Sequence, residues 1–173
     1  KDKSQELAKK KSIAYARDFQ KIRGERQNSI MFCGQVGAGK THLSIAICNE
    51  LMNQHIGILY MAYKEAINYL KQIKMDEESY QKEISSYKNA PVLMIDDLFK
   101  LSERKGQVNE ADVDIVYEIV NARYIKNMPM IISTEYSPDK LLETDQATGS
   151  RIIEMCKTRI IEFEGIELND RLR

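Results

Sequence analysis

No apolar run in this sequence approaches the ~20 residues that a membrane-spanning helix needs, and no signal-peptide pattern is present. A membrane-embedded role is therefore not expected, and the chain reads as cytoplasmic. Cysteine is scarce: Cys33, Cys48 and Cys156 are odd in number, scattered, and form no C-x-x-C. The two histidines, His42 and His55, complete no zinc-ligand spacing, so neither a disulfide framework nor a zinc site is expected. Reduced, buried thiols are the plain reading. Net charge is also missing, since 26 basic side chains meet 26 acidic ones, whereas a protein built mainly to coat nucleic acid is usually more basic. There is no internal repeat and no low-complexity tract.

What is present fits one domain: 173 residues, 43% of them hydrophobic and 30% charged, enough to bury a single core without staples. The charge is uneven. Residues 1–27 hold nine Lys/Arg against four acids, which reads as a solvated helix face or a basic linker. A chain that opens on Lys1 rather than methionine reads as lacking an N-terminal part. The expected division is a basic N-terminal linker or helix over 1–27, packing on a module over 28–173.

Along the chain, residues 4–22 lack Gly and Pro and carry a helical stripe of Leu7, Ala8, Ile13, Ala14, Ala16, Phe19 and Ile22. Short apolar runs at Ser29–Cys33, Ile56–Ala62, Pro91–Ile95, Met130–Thr134 and Arg159–Phe163 predict five buried strands. Helical patterns lie between them. One is a helix with Leu43, Ala46, Ile47 and Leu51 on one face. Another spans 110–126, with Val113, Val116, Tyr117, Val120 and Tyr124 on one face, after a polar loop with Gly106. One or two helices are expected in 63–89 and again in 138–157. Strands alternating with helices predict an α/β fold with a five-stranded parallel sheet between helices.

Gly34-Gln35-Val36-Gly37-Ala38-Gly39-Lys40-Thr41 matches G-x-x-x-x-G-K-[ST] in full, between a predicted strand and a predicted helix. Gly37 and Gly39 let the backbone curl until successive N–H groups point at phosphate oxygens, and the following helix adds the positive end of its dipole. Lys40 is placed to reach the β- and γ-phosphates, and the Thr41 hydroxyl to ligate Mg²⁺. The binding candidates are thus Gly34, Gly37, Ala38, Gly39, Lys40 and Thr41, with His42 beside them, and the expected ligands are ATP and Mg²⁺. On the third strand, four apolar residues carry Asp96 to the C-terminal edge, where open α/β sheets bind ligands. Asp96 is the expected Mg²⁺ carboxylate. Asp97 follows it as the group to polarise the attacking water, with a helix or turn cap as its plain alternative.

With these motifs placed, the chain resembles the DnaC/DnaI-type replicative helicase loaders, an AAA+ P-loop family that also includes the IstB transposition ATPases. The resemblance rests on Gly39-Lys40-Thr41-His42-Leu43 running into Ala46–Leu51, on Val92–Leu98, on Ile131–Thr134, and on Gly149-Ser150-Arg151-Ile152. It implies an AAA+ fold without a C-terminal helical lid domain and an N-terminal helicase-binding domain absent from this chain. It implies ATP-controlled binding to single-stranded DNA and to a DnaB-type replicative helicase, with self-association through the ATP site. Arg151 takes the place of an arginine that reaches a neighbouring subunit's ATP, with Arg159 as the runner-up. Thr134 or Glu135 takes the sensor 1 place, where many relatives have Asn, and Asp97 stands where most have Glu.

The family places a single-strand DNA contact after the second strand. Here 63–88 interleaves Tyr63, Tyr69, Tyr80 and Tyr87 with Lys64, Lys71, Lys74, Lys82 and Lys88, as base stacking plus phosphate attraction would use. Five acids cancel those lysines, and tyrosines packed on the sheet are the equal alternative. An IstB-like helper on duplex DNA, a small-molecule kinase, and a nucleotide-dependent module with little turnover remain the competing functions. Only Arg104 and Arg123 lie in 98–128, which speaks against a kinase lid.

Overall fold

A strand buried on both faces must be apolar at every position, because successive side chains point to opposite sides. The computed structural model describes residues 3–100, 103–104 and 107–163, with side chains from residue 5 onward except at 101–107. Gly106, the Arg104 side chain and residues 164–173, where no lid was expected, lie outside the described residues. In chain order the elements are α1 (Lys3–Ile22), β1 (Ile30–Gly34), α2 (Lys40–Asn53), β2 (Ile58–Ala62), α3 (Tyr63–Ile73), α4 (Glu77–Asn89) and β3 (Val92–Leu98). They continue with β4 (Glu103–Arg104), β5 (Gln107–Val108), α5 (Glu110–Ile125), β6 (Met130–Thr134), α6 (Pro138–Thr144), α7 (Gln146–Cys156) and β7 (Ile160–Phe163).

The five long strands form one parallel sheet in the order β2-β3-β6-β1-β7, and β4 and β5 make a separate antiparallel pair. Alternation sorts the core onto two faces. Ile30, Phe32, Val92, Met94 and Ile131 pack with Tyr15 and Phe19 of α1 and Ile47 and Leu51 of α2. Met31, Cys33, Leu93, Ile95, Met130 and Ile132 pack with α3, α4, α5 and α7 on the other face. All three cysteines are buried thiols outside any disulfide, as small side chains of the core.

Three helices turn a different stripe inward from the one their sequence pattern predicts. On α1 the buried residues are Ala8, Ser12, Tyr15, Ala16 and Phe19, while Leu7 and Ile13 are exposed. Tyr15 is the residue the apolar pattern omits; its hydroxyl donates to the Asn28 carbonyl at 2.7 Å, which lets a phenol be buried. On α2 the inward face is Lys40, Ser44, Ile47, Cys48 and Leu51, and Ala46 is exposed. On α5 it is Asp112, Ile115, Val116, Ile119, Val120 and Arg123, with Tyr117 turned to solvent. In α2 and α5 a buried cation sits on the inward face, which an apolar count cannot register.

Close packing explains one glycine of the C-terminal motif. Asp145 caps α7 by accepting from the Thr148 N–H at 2.8 Å, and a Cβ on Gly149 would lie 2.9 Å from the Leu141 backbone of α6. Gly149 therefore permits the α6–α7 contact, and Ile152 beside it is fully buried.

Arg123 is fully buried and pairs with no carboxylate among the described residues; instead it donates to the carbonyls of Tyr87 (2.8 Å), Ala90 (3.0 Å) and Pro129 (2.7 Å). Burial pulls its pKa down to about 9, still above neutrality, so it donates as a cation. It joins the end of α4, the entry to β3 and the entry to β6. Arg123→Met keeps most of the volume but leaves these carbonyls without donors, and should cost about 2–4 kcal/mol of stability in urea unfolding.

Candidate nucleotide-binding site

The site forms where β1, β3 and β6 end side by side at the C-terminal edge of the sheet. Gly34 closes β1 at φ 113°, and a Cβ there would stand 2.1 Å from the Phe163 carbonyl oxygen of β7. Gly39 at φ 89° is the N-cap of α2, so the loop reaches the helix through a left-handed residue that only glycine adopts cheaply. The Lys40 ammonium is buried within this loop and donates to the carbonyls of Gly34 (2.7 Å) and Gln35 (2.6 Å). Burial lowers its pKa, and the carboxylates of Glu135 and Asp97 pull the other way.

Asp96 is the hub of the site. Its Oδ1 accepts from the Thr41 hydroxyl at 2.8 Å and from the Ser133 hydroxyl at 2.5 Å, and its Oδ2 accepts from the Tyr60 hydroxyl at 2.7 Å. Burial, then the bond to Asp96, pushes the Tyr60 phenol up to about 12, so it remains a donor at neutral pH. The Ser133 oxygen also accepts the Asp97 N–H at 2.8 Å. Asp97 is left-handed, with φ 59°, and its Oδ2 lies 2.9 Å from the Lys100 ammonium, which also lies 3.3 Å from Glu135 Oε1.

Beside Asp96 lies a cavity of about 500 Å³, lined by Val36, Gly37, Gly39, Lys40, Thr41 and His42 from the loop and α2 and by Asp97, Lys100 and Glu135 from the ends of β3 and β6. The structure thus gathers most of the residues the motifs singled out. Ala38 is buried in the core behind the loop, and Gly34 shapes the turn rather than facing the cavity. Thr134 is not among the residues that line this cavity. It is fully buried, and its hydroxyl donates to the Leu98 carbonyl at 2.9 Å and accepts the Tyr136 N–H at 3.1 Å. A hydroxyl spent on two backbone groups cannot face the cavity, and Glu135 is the residue at that tip which does.

Arg151 and Arg159 lie elsewhere. Arg151 on α7 donates to Asn121 Oδ1 (3.0 Å) and the Ala147 carbonyl (2.7 Å), and its guanidinium sits 5.4 Å from the ring centres of both Tyr117 and Tyr124. Arg159 donates to the Gln27 carbonyl at 2.7 Å. In the 63–88 segment, Tyr63, Tyr80 and Tyr87 are buried, Lys71 pairs with Asp112 at 2.6 Å, and Lys88 pairs with Glu118. For those residues packing is the geometry found; Tyr69, Lys64, Lys74 and Lys82 remain exposed.

Sequence reasoning missed Ser133, Tyr60 and Lys100. Ser133 carried a signal, as a hydroxyl inside an apolar strand running beside β3. Tyr60 and Lys100 carried none, since each acts through a neighbour distant in sequence or through local backbone shape. Thr41 and Asp96 supply the hard oxygen donors that suit Mg²⁺, which takes one or two protein oxygens together with phosphates. Among the described residues no group of three His, Cys, Asp or Glu side chains forms an all-protein metal cage. Nor is any described helix long and apolar enough to cross a membrane.

Comparison with known proteins gives this geometry a lineage. The model of the bacterial DnaA ATPase domain matches residues 3–156. The Bacillus subtilis (strain 168) protein YqaM is 38% identical over 164 residues, covering 93% of this chain and 51% of its own length, so the chain spans about half of that relative. The crystal structure of the DnaC helicase loader superposes with a TM-score of 0.75 at 25% identity, covering 95% of this chain and 92% of that one. The replication initiator DnaA bound to AMPPCP and single-stranded DNA shares the fold, with a TM-score of 0.70 at 21% identity over 90% of this chain and 46% of that one. The chain belongs to the bacterial DnaA ATPase-domain family, as an AAA+ module of the ATP-binding, ATPase type related to replication initiators and helicase loaders.

Proposed function

We propose that this chain binds ATP with Mg²⁺ in the cavity at the strand ends and hydrolyses it, as the ATPase module of a helicase loader acting in the cytoplasm. The observation that carries the reading is the Thr41–Asp96 contact, which joins the phosphate loop to the carboxylate strand at 2.8 Å, directly beside Asp97. Thr41 and Asp96 would hold Mg²⁺, which offsets charge on the terminal phosphates. Gly37, Gly39 and the first N–H groups of α2 cradle phosphate oxygens, and Lys40 adds its positive charge beside them. Asp97 polarises the attacking water, and Glu135 rather than Thr134 faces it from β6.

The rest of the reading follows the relatives. One neighbour in fold is described as a helicase loader and another as bound to single-stranded DNA and AMPPCP. By that likeness, ATP here favours an assembly that grips single-stranded DNA and a DnaB-type helicase, and turnover releases it. Tyr69 with Lys64, Lys74 and Lys82 is the part of 63–88 exposed enough to touch DNA. Arg151 is the proposed finger into a neighbour's site, and taking that role requires it to leave Asn121.

Lys40→Ala should abolish ATP binding while the protein stays folded, and titration calorimetry with circular dichroism reads both. Retention of wild-type affinity would remove Lys40 from the site. Asp97→Asn should bind ATP normally and lose turnover, because an amide cannot take a proton's share from water. Hydrolysis at the wild-type rate would leave Asp97 as a turn residue only. ATPase activity should rise when single-stranded DNA is added.

Arg151→Ala should keep ATP binding and lose hydrolysis, by up to roughly 10³–10⁵ if it acts as fingers do in other P-loop enzymes. Mixing Arg151→Ala with Lys40→Ala subunits should recover activity that neither has alone. No recovery under conditions of assembly would count against action in trans.

A further inference from the structure

The end of β3 is built in a way that neither the phosphate loop nor the Mg²⁺ donors require. Asp97 (φ 59°) and Phe99 (φ 63°) are both left-handed and neither is glycine, and the β3–β6 register shifts between Ile95 and Leu98. Such backbone persists only where its surroundings over-determine it, and it concentrates at functional sites. Here the surroundings do so. Leu98 and Phe99 are buried, and the Phe99 ring lies 5.8 Å from those of both Tyr63 and Tyr136. The Asp97 N–H is held by Ser133, the Leu98 carbonyl by Thr134, and the Lys100 N–H returns to the Asp97 carbonyl at 3.0 Å.

The consequence of this turn is the position of Lys100. Its ammonium lines the cavity opposite Lys40, 2.9 Å from Asp97 Oδ2 and 3.3 Å from Glu135 Oε1. Glu135 Oε1 is itself buried, accepts no hydrogen bond among the described residues, and has the Lys100 ammonium 3.3 Å away as its ion-pair partner. The cavity therefore presents two carboxylates beside Asp96, at the end where a terminal phosphate would lie. Like charges at that range repel strongly in a partly desolvated pocket. In the nucleotide reading above, a diphosphate would stop short of them and a triphosphate would not.

We propose that Lys100 makes this pocket select nucleoside triphosphates over diphosphates, as the cation standing between the terminal phosphate and the carboxylates of Asp97 and Glu135. The inference rests on the nucleotide reading above. It assigns the pocket a second lysine, supplied in cis by the strained end of β3, as a specificity-determining residue. Asp97 and Glu135 raise the Lys100 pKa, so the cation is present throughout the neutral range.

The test is the ratio of affinities for a non-hydrolysable ATP analogue and for ADP, each with Mg²⁺, measured by calorimetry on the folded protein. Lys100→Met should weaken the triphosphate by about tenfold or more and ADP by less than about twofold, the scale of one charge-assisted contact. Lys100→Arg should keep most of the selectivity. Glu135→Gln, with Lys100 intact, should shift the ratio the other way by removing one repelling carboxylate. Added to Lys100→Met, it should restore part of the lost affinity. An equal loss for both nucleotides in Lys100→Met, together with no shift in Glu135→Gln, would make Lys100 a structural link and overturn the proposal. Wild-type protein that binds neither nucleotide would overturn the site itself; ADP binding without triphosphate preference overturns only the role of Lys100.

Discussion

One carboxylate holds this site together. Asp96 receives hydroxyl hydrogen bonds from Thr41 at the start of α2, Ser133 on β6 and Tyr60 on β2, elements that meet only because the sheet is ordered β2-β3-β6-β1-β7. A buried carboxylate is costly unless its oxygens are satisfied, and three donors from three directions do so while fixing its orientation. The phosphate loop is thereby tied to β3, and Ser133 carries the restraint one residue further by accepting the Asp97 N–H. If the hub were lost, the loop, the strand end and Asp97 would no longer share one frame.

The two ends of the sheet use polar groups differently. At the N-terminal edge, the Arg123 guanidinium gathers three carbonyls and serves the fold. At the C-terminal edge, Lys40 lines a cavity with Asp97, Glu135 and the Lys100 ammonium that contacts both acids, and the end of β3 is left-handed at Asp97 and Phe99. That edge is where parallel sheets place their ligands, because loops leaving the strand ends are free of the ladder and can be shaped independently. There the irregular end of β3, left-handed at Asp97 and Phe99, shapes the cavity wall.

The relation to DnaA-type ATPase domains and to the DnaC loader fits this division of labour. The central sheet and phosphate loop carry the shared fold. The segment after Asp97, running through Phe99 and Lys100, puts a second cation in the pocket. Gly149-Ser150-Arg151-Ile152, by contrast, has a substantial packing component, since Gly149 admits the α6 backbone and Ile152 is core.

Much of the architecture was legible in the sequence because its signals are local. Five apolar runs predicted five strands to within three residues at their ends, and the glycine spacing around Lys40 announced the phosphate loop, since only glycine adopts those dihedrals cheaply. The placing of Asp96 at a strand edge was equally local. Helix faces were harder. Counting apolar residues put Leu7, Ala46 and Tyr117 inward, whereas the packed faces carry Tyr15, Ser44 and Arg123, and Tyr15 and Arg123 are tolerated in a core because carbonyls distant in sequence accept from them. Tertiary structure alone decided Tyr60 on Asp96, the Thr134 hydroxyl on the Leu98 carbonyl, and Lys100 between two carboxylates. The reason is physical: a strand or a loop is specified by neighbours in sequence, while a charge is specified by what lies within a few ångströms of it. That neighbourhood exists only once the sheet has ordered its strands.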